Sequence, residues 1–163
     1  MTEVKQMSIE RAIERAYSVS HERGWPRVYW ALDLHGTCLK SNYSTKAYEW
    51  LTPECLPILK ALSDLPETNF IIWSSLHQAD KDGVATFFAE ADIKIVGINT
   101  NAQEASTETG CFDEKFYMSL ILDDKAGFDP SEWSVVLAKV LECRARFPLP
   151  IESKQEIAET TPA

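Results

Sequence analysis

Towards the end of its first quarter the chain reads Val28-Tyr-Trp-Ala-Leu-Asp33-Leu-His35-Gly36-Thr37. The apolar residues of this stretch stop at Asp33, and after one spacer residue an imidazole and a glycine turn follow. A buried strand that presents acid and base side chains at its carboxyl end is typical of active sites in open α/β sheets. The stretch therefore predicts a central strand over Val28–Leu34 and makes Asp33 a candidate nucleophile or metal ligand.

Helices and further strands are predicted to alternate along the rest of the chain. Apolar periodicity, cap residues and turn signals predict four helices: Ser8–His21, Pro53–Leu62, Ser75 to Glu90, and Asp129 through Leu141. Short apolar runs predict three more strands: Asn69–Trp73, Ile93–Ile98 and Phe116–Leu122. This alternation predicts the α/β class, with a Rossmann-like, doubly wound parallel sheet and helices on both faces.

The length of 163 residues provides for one domain built round one core. We expect that domain to span residues 1–150, with an amino-terminal helical segment in 1–24 and an irregular excursion over 38–50. Residues 151–163 are polar and lack periodicity, so they are expected to form a flexible tail.

Composition argues against several classes of partner. A net charge of −9 disfavours a surface that holds nucleic acid phosphates, although one local pocket can still be positive. We expect no membrane span, because the chain has no sufficiently long apolar run, and no secretion signal is recognisable at its beginning.

The four cysteines are irregularly spaced without a C-x-x-C pair. A cytoplasmic protein with reduced thiols is expected.

Side chains suited to catalysis or metal binding stand at three predicted strand ends or shortly before one of them: Asp33, His35, Ser74, Lys115, Asp123 and Asp124. Each taken alone has an ordinary structural interpretation, such as a cap, a solvated turn or a surface lysine. The carboxyl ends of parallel strands share one edge of a sheet, so these distant residues are expected to converge. Their joint order, acid, hydroxyl, lysine and paired acid, is the informative feature.

That order resembles the haloacid dehalogenase-like hydrolase superfamily. The family's first motif, D-x-D-G-[TV] after an apolar strand, is matched by Asp33-Leu34-His35-Gly36-Thr37. The second and third are matched by Ile71-Ile72-Trp73-Ser74 and by Lys115, and the fourth by Leu120-Ile121-Leu122-Asp123-Asp124. The resemblance covers roughly residues 28–140. The short separations between motifs resemble a member without a large cap domain, and residues 38–50 occupy the place of the family's flap hairpin.

The resemblance implies a Mg²⁺-dependent phosphohydrolase acting on a small phosphorylated substrate. Asp33 would attack phosphorus and form an aspartyl-phosphate, while Ser74 and Lys115 would hold the phosphoryl oxygens. Magnesium prefers a shell of hard oxygens. Its protein ligands would be Asp33, the backbone carbonyl of His35, and the pair Asp123 and Asp124, either of which can supply the direct contact.

His35 departs from the family pattern, because the family has an aspartate there as general acid and base. An imidazole can transfer protons near neutral pH, so turnover is compatible with this residue. The alternative is a catalytically impaired module on the same fold that binds metal or phosphate, or serves in interactions. A receiver-like domain also uses paired acids, a hydroxyl and a lysine, but in the reverse chain order.

Overall fold

The structure, a computed structural model, describes residues 7–42 and 47–152. The middle of the predicted excursion, residues 43–46, and nearly all of the predicted tail, residues 153–163, lie outside the described residues. In the described part of the chain the α-helices are α1 (Ser8–Arg23), α2 (Cys55–Ser63), α3 (Lys81–Glu90) and α4 (Trp133–Arg146). The strands are β1 (Val28–Leu32), β2 (Thr68–Ile72), β3 (Ile95–Ile98) and β4 (Leu120–Leu122).

The strands form one parallel sheet in the order β3-β2-β1-β4, which confirms the α/β class and is compatible with a Rossmann-like fold. Leu32 pairs with Ile72 on one side and with Leu122 on the other. The hydrogen bonding continues one residue further, because the N–H of Asp33 donates to the Leu122 carbonyl at 2.9 Å. The three strands therefore end together, and the chain leaves them at one edge of the sheet.

The two faces of the sheet are covered differently. On one face, alternate strand residues such as Trp30 and Phe70 join a large core to which all the described α-helices contribute. On the other face, Tyr29, Ala31 and Ile71 pack with Phe116 and neighbouring residues that belong to no α-helix. Helices were expected on both faces. The difference arises because the connection from β3 to β4, residues 99–119, contains no helix.

Two predicted helix starts are wrong. The capping box at Ser75 does not begin a helix, since residues 73–77 are irregular, a 3₁₀ turn covers Gln78–Asp80, and α3 begins at Lys81. The chain instead leaves β2 in an irregular path along which the backbone of Ser74 is bonded to Asn99, as described below. Pro53 likewise precedes α2 within a turn, in which the Cys55 N–H donates to the Thr52 carbonyl at 3.3 Å.

The predicted cap at Asp129 is confirmed. Its side chain accepts the N–H of Ser131 at 2.8 Å, and the Glu132 carboxylate accepts the N–H of Asp129 at 2.8 Å. This capping box begins a 3₁₀ turn over Pro130–Glu132, which leads directly into α4. None of the helices in residues 7–42 and 47–152 has the length and apolar character needed to cross a membrane.

Replacement of a core leucine tests this packing. Leu59 of α2 is fully buried, so Leu59→Ala should lower the free energy of unfolding by about 2–5 kcal/mol in urea denaturation. Leu141→Ala is the matched control, because Leu141 also lies in a helix but is 49% exposed. We expect the control to change stability by less than about 1 kcal/mol. Equal losses for the two variants would contradict the assigned core.

Candidate functional site

The turn after β1 is organised round a single carbonyl. The Leu34 carbonyl accepts N–H groups from Thr37, Cys38 and Leu39 at 3.2, 2.9 and 2.8 Å. Gly36 lies inside this turn with a φ of 90°, a conformation that side chains rarely adopt. A Cβ atom at Gly36 would also lie 2.9 Å from a carboxylate oxygen of Asp124. Glycine thus permits both the turn and the close approach of the fourth motif.

The hydroxyl of Thr37 joins the first and fourth segments. Its Oγ1 donates to Asp33 Oδ2 at 3.1 Å and accepts the backbone N–H of Asp124 at 3.0 Å. The Thr37 carbonyl in turn accepts the indole N–H of Trp133 at 2.9 Å. Thr37 is fully buried, so one side chain fixes the separation of two strand ends against the core.

Asp33, Asp123 and Asp124 form the acidic centre of this edge, with one carboxylate oxygen from each within 4.8 Å of the others. Asp33 and Asp123 are half-buried, whereas Asp124 is exposed. The Asp123 carboxylate accepts the N–H of Lys125 at 2.8 Å in the turn that follows β4. Among residues 7–42 and 47–152, none of these three carboxylates has a cation within ion-pair distance.

The electrostatics of Asp33 reflect that crowding. Burial, followed by the negative charge of Asp123, raises the pKa of the Asp33 carboxyl to about 6. The hydrogen bond from Thr37 opposes this rise, because it favours the ionised carboxylate. Three crowded carboxylates without a neighbouring cation provide the hard oxygen ligands that Mg²⁺ prefers. The residues present therefore fit a divalent cation.

Ser74 and His35 lie together on a neighbouring cavity of about 420 Å³. Asn42 and Tyr48, from the two described ends of the excursion, line the same cavity. Those ends lie side by side, because the Lys40 N–H donates to the Glu49 carbonyl at 2.9 Å. The cavity thus opens between the excursion and the segment that follows β2, next to the acidic centre.

Asn99 clamps the backbone of Ser74. Its Oδ1 accepts the Ser74 N–H at 2.9 Å and its Nδ2 donates to the Ser74 carbonyl at 2.6 Å. Asn99 adopts a φ of 57°, a left-handed conformation in which asparagine is enriched. Neither Asn99 nor the bridging role of Thr37 was predicted. The glycine turn before Thr37 was a usable signal, but nothing in the sequence pairs Asn99 with Ser74.

Lys115 is exposed and forms no ion pair with a carboxylate in the described part of the chain. The next residue, Phe116, packs its ring 5.5 Å from that of Trp73, which directly follows β2. The structure thus brings Asp33, Asp123 and Asp124 together and places His35 and Ser74 on the adjoining cavity. Lys115 belongs neither to the three-carboxylate centre nor to the lining of that cavity.

The chain matches no protein-family model, and it matches no curated protein. A solved structure does resemble it, that of a conserved protein from Bacteroides thetaiotaomicron, with a TM-score of 0.57 and 21% identity. The match covers 71% of this chain and 91% of that one. This likeness shows the fold alone.

Removal of the Thr37 hydroxyl tests its bridging role. Thr37→Val keeps the shape but leaves the Asp124 N–H without its acceptor, so we expect a loss of about 1–3 kcal/mol in the free energy of unfolding. Because the carboxylates lose their positioning, Mg²⁺ affinity by calorimetry should fall about 10- to 100-fold. Thr37→Ser retains the hydroxyl and serves as the control. Identical behaviour of the two variants in both measurements would contradict the bridge.

The raised pKa of Asp33 predicts a pH-dependent loss of stability in the metal-free protein. The fold disfavours the ionised form of Asp33, so ionisation of this carboxyl lowers the free energy of unfolding. This loss of stability is absent below the ordinary pKa of 3.8 and complete above about pH 6. Asp33→Asn removes this loss. In chelator, the melting temperature of Asp33→Asn minus that of the unaltered protein should therefore increase between about pH 4 and pH 7. A pH-independent difference would show that the Asp33 carboxyl is not perturbed.

Proposed function

We propose that this protein is a Mg²⁺-dependent phosphohydrolase of the haloacid dehalogenase-like type without a large cap domain. Its substrate is a phosphomonoester, cleaved through an aspartyl-phosphate on Asp33. The observation that carries the proposal is the convergence of Asp33, Asp123 and Asp124 to within 4.8 Å at one edge of the sheet. Support comes from the order of the four sequence motifs, which is that of the family.

Asp33 is the nucleophile in this proposal. Thr37 binds its Oδ2, which leaves Oδ1 to attack phosphorus in line with the leaving oxygen. With a pKa of about 6, the carboxyl is mostly ionised at neutral pH and is therefore competent to attack. Bound at Asp33, Asp123 and Asp124, Mg²⁺ would neutralise negative charge on the phosphoryl oxygens.

His35 is the proposed proton carrier. When the phosphorus–oxygen bond breaks, the His35 imidazolium gives its proton to the departing alkoxide. The resulting imidazole then takes a proton from the water that attacks the aspartyl-phosphate, which releases phosphate and restores the Asp33 carboxylate. Ser74 lines the same cavity as His35, so its hydroxyl is available to a phosphoryl oxygen. Lys115 is proposed as a second phosphoryl contact on the strength of its sequence motif, since it does not itself line this cavity.

A second candidate function is a binding module that holds metal or phosphate without turnover. The observation that favours it is the position of His35, where the family carries an aspartate. In the described structure the side chain of this residue belongs to the cavity lining and not to the three-carboxylate centre. The carboxylate that would accept the water proton is therefore absent from its usual place.

Turnover of para-nitrophenyl phosphate with Mg²⁺ tests the leading proposal. Asp33→Asn should abolish the activity, with a loss of about 1,000-fold or more, because an amide does not form the aspartyl-phosphate. Asp64→Asn, which changes an exposed aspartate outside the site, should retain full activity. Equal rates for the unaltered protein and Asp33→Asn would refute the proposed nucleophile.

The variant His35→Asp separates the two candidate functions. If His35 carries the proton, this replacement should alter the pH–rate profile of an already active protein, since a carboxyl titrates lower than an imidazole. If the site is a binding module, the unaltered protein is inactive while Mg²⁺ binding persists in calorimetry. Activity that appears only in His35→Asp would then establish the module.

A further inference from the structure

A second cavity, of about 650 Å³, lies at the opposite end of β1 from the acidic centre. It is lined by the chain that enters β1, residues 23–29, by the helix-free connection that covers the second face of the sheet, and by Glu152. Its volume falls in the range of pockets that bind small organic ligands. None of the residues proposed for phosphate chemistry lines it.

Aromatic rings form the walls of this cavity. The Tyr117 ring packs edge-on against Trp25 and against Tyr29, with centroids 5.7 and 5.9 Å apart and interplanar angles of 90° and 89°. Phe112 packs against the same tyrosine at 5.5 Å. Trp25, Phe112 and Tyr117 are each partly exposed and line the cavity, and Tyr29 also lines it although it is almost fully buried. These walls suit a planar ring, which stacks on aromatic faces.

A fixed carboxylate lies at one side of the cavity. The Tyr29 hydroxyl donates to Glu104 Oε1 at 2.8 Å, which holds that side chain in place and leaves Oε2 available as an acceptor. Arg27 forms no direct ion pair with Glu104 in the described part of the chain, since its Nε pairs with Glu152 at 2.9 Å and its Nη1 donates to the Tyr29 hydroxyl at 3.4 Å. Glu104 is thus oriented to receive N–H donors from a ligand.

A cation lies at the rim. The Arg23 guanidinium stacks over the Trp25 ring at 4.7 Å from its centroid. Stacking uses the flat face of the guanidinium and leaves the N–H groups round its edge free to bind an anion. Within residues 7–42 and 47–152, Arg23 is in no ion pair with a carboxylate. Burial raises the pKa of the Tyr117 hydroxyl; the charge of Arg23 opposes this rise and that of Glu104 adds to it, so both charges act on one wall of the cavity.

We propose that this cavity binds a nucleoside monophosphate, with its base against Trp25 and Tyr117, base N–H groups on Glu104, and its phosphate on Arg23. Guanine is the favoured base because it presents two adjacent N–H donors, which match a carboxylate. The site is independent of the proposed phosphohydrolase activity. It supplies a binding function at the end of the sheet away from the acidic centre.

Calorimetry with guanosine monophosphate, in chelator and on the Asp33→Asn protein, tests the site without turnover or metal. We expect saturable binding that Arg23→Gln and Glu104→Gln each weaken about 10- to 100-fold. Glu108→Gln, an exposed change in the same connection that does not line the cavity, should leave the affinity unchanged. Melting temperatures verify that each variant is folded.

Two ligand analogues test the proposed contacts of Arg23 and Glu104 separately. Guanosine lacks the phosphate, so its affinity should be the same with and without Arg23→Gln. Adenosine monophosphate lacks the paired donors, so Glu104→Gln should affect its affinity less than that of guanosine monophosphate. Absence of binding at millimolar nucleotide would overturn the proposal. So would binding that both variants leave intact, or binding that Ser74→Ala removes, because the nucleotide would then occupy the other cavity.

Discussion

The common register of β1 with its two neighbours is the constraint on which the functional arrangement depends. Leu32 is the last residue of β1 and pairs with the last residues of β2 and β4. A shift of one residue in either pairing would turn the core side chains of that strand to the opposite face. It would also separate Asp33 from Asp123. Burial of the apolar strand residues therefore fixes the positions of the polar residues that follow them.

The fold holds the three carboxylates of the acidic centre close together although their negative charges repel one another. Partial burial, followed by repulsion from the charge of Asp123, favours protonation of Asp33 and raises its pKa to about 6. Thr37 acts against this, because it binds the ionised carboxylate and at the same time the backbone of Asp124. Under the proposed function this arrangement would hold a cation with little rearrangement, since the three carboxylates already lie together and have no cation within ion-pair distance among residues 7–42 and 47–152.

The sequence was sufficient to predict the sheet and the acidic convergence because both follow from local patterns. Apolar runs that end in carboxylates identify buried strands, and parallel strands place those ends at one edge. The start of α3 was not predictable in this way, because the chain after β2 follows an irregular path, with Ser74 bonded to the distant Asn99, before α3 begins at Lys81. The aromatic cavity was equally unpredictable from the sequence. Its walls come from residues 23–29 and 104–117, whose meeting depends on the path of a segment without periodicity.

That helix-free connection, residues 99–119, also bears on the order in which the strands pair during folding. The strands β1, β2 and β3 are linked in chain order by helices that pack beside them, so their pairing needs contacts of moderate sequence separation. The pairing of β4 with β1 joins residues 90 positions apart, as between Trp30 and Leu120. Closing so long a loop costs more chain entropy. We therefore expect β4 to pair with β1 after the other strands have paired, which makes the acidic edge a late part of the molecule to assemble.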